Sequence, residues 1–174
     1  QDAVLANITL ARYRAVFAPK VPGLFHMEAG MHAAPMHAVV LFSSIAAFLG
    51  SGGQSNYTGA NAALDAAAVV RQSHGLVGSS AQWGTWASSG MALRDASTMR
   101  RAERVGIGVV MPDVGLAVTA AFMRSLVKGA SGTDALQVGV ASTFAWPTFL
   151  KQVSDPGIFH ALATEPTAPS EVLS

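Results

Sequence analysis

The sequence contains no cysteine, which excludes disulfides and thiol catalysis and leaves the redox compartment open. Charge is scarce: Asp, Glu, Lys and Arg make up 12% of the 174 residues and sum to a net charge of +1. No basic cluster exceeds Arg100-Arg101-Glu103-Arg104, so nothing electrostatic points to nucleic acid or an anionic membrane. No apolar run approaches the ~18 residues a bilayer span needs, and the N-terminus lacks a signal-peptide pattern. The histidines (His26, His32, His37, His74 and His160) form no close pair with a carboxylate at ligand spacing, so no metal site is expected. There is no internal repeat.

What the chain does have is apolar bulk. With 51% hydrophobic residues it can bury a core and is too apolar for disorder. Its length suits one compact unit, since domains usually run ~100–200 residues. Residues 3–17 space Leu5, Ile8, Tyr13, Val16 and Phe17 as a helix does, until Pro19 and Pro22 kink or break it. A second amphipathic piece covers 21–31. Residues 38–42, AVVLF, form a β-branched and aromatic run without polar alternation, which suits a strand covered on both faces in a parallel sheet. The glycine-rich loop of Gly50–Gly53 follows, then a long helix over 57–74 with Gly75 as its C-cap. Residues 79–83 read as a second strand, 84–91 as loop and 93–105 as a polar helix. Residues 113–127 read as another helix, 135–141 as a third strand, and the tail 164–174 as a flexible end or linker.

Helices alternating with about three strands predict an α/β fold with a parallel sheet. A first strand that is apolar on both faces should not be an edge, so the expected fold is the C-terminal half of a Rossmann-like doubly wound domain, over residues 1–163.

The chemistry gathers between residues 39 and 75. Tyr57 and Asn61 stand four apart on one helix and share a face. Ser44 lies just past the carboxyl end of its strand, where open α/β sheets bind ligands. A phenol of pKa ~10 is a poor acid unless a cation stabilises its phenolate, and Lys20 is the candidate cation. A serine hydroxyl holding a carbonyl oxygen while a tyrosine protonates it would polarise a ketone towards hydride attack. Taken singly, each residue has a plainer explanation. Ser43-Ser44 can be a polar strand end, Tyr57 a half-buried packing residue, Asn61 a surface amide and Lys20 a surface lysine. Trp83 and Trp86 suit the core as well as a cofactor face, and Asp65 suits local capping or pairing.

Together the residues carry a pattern. Phe42-Ser43-Ser44, then Gly53-Gln54, Tyr57, Ala60-Asn61, Leu64-Asp65-Ala66, Trp83-Gly84-Thr85-Trp86 and Gly90-Met91-Ala92 resemble the ketoreductase domain of modular polyketide synthases and type I fatty acid synthases. That family is a branch of the short-chain dehydrogenase/reductase superfamily, and residues 18–27 are similar to its lysine segment. The resemblance implies NADPH as cofactor and reduction of a carrier-bound β-ketoacyl thioester to the β-hydroxyacyl thioester. Tyr57 would be the general acid, Ser44 would bond the ketone oxygen, Lys20 would lower the phenol's pKa and touch the nicotinamide ribose, and Asn61 would order a relay water. Ser43, Gly84, Thr85 and Trp86 would adjoin the cofactor; Leu49, Gln54 and Met91 would meet the acyl chain, with 92–105 continuing a lid. An acyl carrier protein would be the partner, in a cytoplasmic multienzyme, with neither nucleic acid nor membrane.

One part of the pattern does not occur. A glycine-rich strand–helix turn for the cofactor pyrophosphate is not found before residue 39, and Gly50–Gly53 lie between serine and tyrosine, where they cannot serve as it. The chain alone is therefore expected to show little reductase activity, and its exposed strand edge to pair with the other half of the fold or a second copy. The alternatives are a catalytically silent structural half-domain and an ordinary short-chain dehydrogenase acting on a free small molecule.

Overall fold

The computed structural model describes residues 2–31, 36–87, 100, 102–128, 136–153 and 159. The polar helix expected over 93–105 falls largely outside them, and Met91 and the tail 164–174 fall wholly outside.

Helix α1 runs Leu10–Phe17 and α2 runs Val21–Met31. The single helix expected over 3–17 is instead a 3-10 turn, Leu5–Asn7, followed by α1. The reason is Thr9: its extended backbone and its Oγ1, which accepts from Arg12 N at 3.3 Å, start a new helix there. Pro19 lies in the turn that separates α1 from α2, and the chain breaks there rather than kinks.

Strand β1 (Val40–Ser44) leads through a short helix α3 (Ala46–Leu49) to the long helix α4 (Ser55–Ser73). Gly75 ends α4 at φ +73°, with Leu76 N donating to Arg71 O and Gly75 N to Gln72 O, both at 2.9 Å. That paired bonding needs a left-handed residue, which glycine adopts without strain. Strand β2 (Ser79–Trp83) follows, then the two-residue strands β3 (Thr85–Trp86) and β4 (Val109–Val110), helix α5 (Pro112–Lys128), strand β5 (Val138–Ala141) and helix α6 (Trp146–Phe149).

The main sheet is parallel and three-stranded in the order β1-β2-β5, with Val40 opposite Ser79 and Ser80 opposite Val138. β3 and β4 form a separate parallel pair where a plain loop was expected after Gly84. The central strand is buried at every position although it reads Ser-Ser-Ala-Gln-Trp. Leu24, Val39, Leu41, Leu64 and Ala68 form the core on the α4 side; Ala81, Trp83, Val110, Phe122 and Ala141 form the other. β1 is an edge here, and Phe42 is 49% exposed in a strand expected to be covered on both faces.

Candidate active site at the carboxyl edge of the sheet

Strand β1 and helix α4 meet through a small set of polar bonds. Ser43 is buried and its Oγ donates to the Asn61 carbonyl at 3.2 Å. Ser44, the last residue of β1, uses its Oγ to accept from Ala46 N at 3.2 Å, which turns the chain into α3. That bond does not use the hydroxyl proton. Tyr57 stands in the first turn of α4, partly buried. Asn61 lies one turn on and is fully buried, its Nδ2 donating to the Tyr57 carbonyl at 2.9 Å. Its Oδ1 is buried with no partner among the described residues. A buried amide oxygen left unpaired carries a desolvation cost, so it marks a place where a water or ligand donor belongs.

Lys20 reaches this cluster from the turn between α1 and α2. Its Nζ donates to the Phe42 carbonyl at 3.2 Å and lies 5.7 Å from the centroid of the Tyr57 ring. That distance is within cation–π range. Burial pushes the Lys20 ammonium below its ordinary pKa of 10.5, while the negative charge of Asp65 works the other way.

Asp65 is the residue that sequence reasoning undervalued. It pairs across the layers rather than locally: Ser80 Oγ donates to Oδ1 at 2.6 Å and Gln82 Nε2 to Oδ2 at 2.8 Å. The signal was available, since 57, 61 and 65 lie at four-residue steps on one helix face.

The other expected site residues are spread around the edge. Leu49 ends α3, and Gln54 precedes α4, its side-chain amide donating to Asp2 Oδ2 at 3.0 Å and accepting from Ser51 Oγ at 2.8 Å. Gly84 follows the central strand and donates its N–H to Ala141 O at 3.0 Å. A Cβ there would collide with the Ser142 side chain. Thr85 and Trp86 form β3; the Trp86 ring packs 4.9 Å from that of Trp83 and against Gly115 of α5. Met91 lies outside the described residues.

A parallel sheet with helical crossovers and a polar cluster at its carboxyl edge is the dinucleotide-binding class of α/β fold. The family model described as "KR domain" matches residues 1–88. The chain is 33% identical over 168 residues, 95% of its length and 4% of the other's, to mycoketide-CoA synthase of Mycobacterium tuberculosis. It is 42% identical over 99 residues, 57% of its length and 2% of the other's, to polyketide synthase GfsB of Streptomyces halstedii. Among solved structures, an A-type ketoreductase from a modular polyketide synthase superposes with a TM-score of 0.77 at 34% identity, over 87% of this chain and 30% of that one. The chain belongs to the KR family, the ketoreductase domains of modular polyketide synthases, and has their Rossmann-like fold. It spans about a third of that solved ketoreductase and a few per cent of the synthases.

Proposed function

We propose that this chain supplies the catalytic face for NADPH-dependent reduction of a carrier-bound β-ketoacyl thioester to the β-hydroxyacyl thioester. The observation that carries the reading is the Lys20 amine at 5.7 Å from the Tyr57 ring, with the unpaired Asn61 Oδ1 one turn further along the same helix. Ordinary packing gives no reason for a half-buried lysine beside a phenol and an orphaned amide oxygen together.

The residues at the carboxyl edge suit the nicotinamide end of a cofactor. Lys20 keeps two N–H donors beyond its bond to Phe42 O, and Gly84–Trp86 follow the central strand. When bound, NADPH supplies the hydride. Ser44, whose hydroxyl proton is free to donate, holds the ketone oxygen. Tyr57 gives that oxygen its phenolic proton as negative charge develops there. The Lys20 ammonium stabilises the resulting phenolate, and a water bonded to Asn61 Oδ1 returns a proton to it. The thioester arrives on an acyl carrier protein, with Leu49 and Gln54 along its path. The 174-residue chain by itself is weakly active or inactive, because its glycines at 50–53 do not form the pyrophosphate turn.

The test uses the intact parent ketoreductase and a β-ketoacyl thioester. Tyr57→Phe removes one proton donor and should cut turnover by roughly 10²–10⁴-fold, the usual contribution of general acid catalysis, with an unchanged melting temperature. Undiminished turnover in that variant would overturn the proposal. A preference for free ketones over carrier-bound thioesters would overturn the substrate assignment alone.

A further inference from the structure

We propose that Asp65 is a positioning residue for this site: clamped to the central strand, its carboxylate fixes how α4 presents Tyr57 and Asn61. The inference rests on the reductase reading for its purpose but not for its test.

The geometry is a two-point clamp. Ser80 and Gln82 alternate with Ala81 along β2 and so share a face of the sheet. Each gives one hydrogen bond to a different oxygen of the same carboxylate, at 2.6 and 2.8 Å. Two charge-assisted bonds to two oxygens fix the carboxylate's rotation as well as its height. The strand that provides them is fully buried and paired on both sides, so it is a rigid reference. α4 is a continuous helix from Ser55 to Ser73, and Tyr57 stands eight residues from Asp65, about 12 Å along the axis. Anchoring Asp65 therefore sets the position of Asn61 one turn away and Tyr57 two turns away. Leu64 and Ala68 of α4 share one buried apolar cluster with Leu41, beside the clamp.

The same charge acts on Lys20. The groups that act on that amine come from three directions: the Phe42 carbonyl of β1, the Tyr57 ring from the first turn of α4 and the Asp65 carboxylate from its middle. Glu28, the acidic group of α2, is engaged by Arg71 at 2.8 Å at the far end of α4. Burial favours the neutral amine and Asp65 opposes it.

Asparagine separates the two roles. Asp65→Asn keeps the shape, accepts from Ser80, and donates to Gln82 once that amide turns over, but it carries no charge. Asp65→Ala removes charge and clamp together. The readouts are the side-chain NMR titration of Lys20, one of three lysines with Lys128 and Lys151, and the backbone amide shifts of Tyr57 and Asn61 in the 174-residue protein. Asp65→Asn should lower the Lys20 midpoint, as loss of a nearby opposite charge does. It should leave the Tyr57 and Asn61 amides near their original positions. Asp65→Ala should lower the midpoint and displace both amides. Unmoved Tyr57 and Asn61 amides in a folded Asp65→Ala overturn the proposal, as do amides displaced as far in Asp65→Asn. If the alanine variant does not fold, Gln82→Ala, which removes one of the two bonds, decides by the same amide shifts. None of these readouts uses reduction, so a failure here is distinct from a failure of Tyr57→Phe to stop turnover.

Discussion

Lys20 is the residue where the proposed function and stability pull apart. Its folded pKa lies below 10.5 because burial penalises the ammonium. Between that lowered value and 10.5 the unfolded chain binds more protons than the folded one, so stability rises with pH across that window. Below the window the cost of holding the charge in a half-buried place is felt in full. Lys20→Met keeps the aliphatic stem and removes the charge, losing one exposed hydrogen bond to Phe42 O. The expected outcome is a higher urea midpoint at pH 7 than the parent protein and a flatter dependence on pH above it. A lower midpoint at pH 7 would mean that the bonds to Phe42 and the Tyr57 ring outweigh the desolvation. Such a trade between a strained functional group and stability is common at active sites.

At the same scale, much of the site was legible and some was not. The four-residue step from Tyr57 to Asn61 fixes a shared helix face from the sequence alone, and their bond at 2.9 Å follows from it. Lys20 is different. Nothing in its local sequence says that it crosses to the Phe42 carbonyl, because Phe42 lies 22 positions further on and only the packing of α1, α2 and α4 brings it there. Asp65 was open to a same-face argument, yet its partners lie 15 and 17 residues on, in a strand whose facing is set by the sheet register.

At the scale of elements, the strands of the main sheet were readable because each is a run long enough to show its character, as in residues 38–42 and 79–83. β3 and β4 were not, since two residues carry no periodicity and their pairing is set by distant chain. That pair is held against the molecule by Val110 in the core and by the Trp86 indole on Gly115 of α5. A Cβ built at Gly115 would stand 2.6 Å from Trp86 Cζ3 and 2.7 Å from Cζ2. Two effects compete in Gly115→Ala. Alanine is favoured over glycine in a helix by about 1 kcal/mol. Overpacking against a rigid ring costs about 1–3 kcal/mol. The clash is with a bicyclic ring wedged against Trp83, which has no slack chain end to move, so the second should win. Gly115→Ala is expected to lower stability by about 1 kcal/mol on those figures, read as a fall in urea midpoint, with a change in Trp86 fluorescence. A stabilised Gly115→Ala variant would show that β3 shifts freely and that Trp86 is not a fixed wall.

For the whole molecule, the decisive feature is the open side of β1. In a doubly wound sheet a parallel strand of this composition is normally covered on both sides. Here β1 is the first strand in the order β1-β2-β5 among the described residues, with Phe42 49% exposed. The chain also aligns with only 30% of the solved A-type ketoreductase chain. An unpaired apolar edge is a template for another strand, whether from the rest of a ketoreductase fold or from a second copy. Size-exclusion chromatography of the 174-residue chain should therefore show association that grows with concentration, and added Lys or Pro on the edge strand should suppress it. The same incompleteness bears on the cofactor. Gly50 and Gly53 adopt φ of 76° and 74° in the connection from α3 to α4, and Gly53 O accepts from Ala3 N at 2.8 Å. They form a loop tied to the amino-terminal segment, not a turn opening the helix after a first strand. With no such turn among the described residues, calorimetry should detect no NADPH binding to this chain. Micromolar binding would mean that Lys20 and Gly84–Trp86 grip the nicotinamide end unaided. Covering the β1 edge should remove the self-association, because the exposed edge is what drives it.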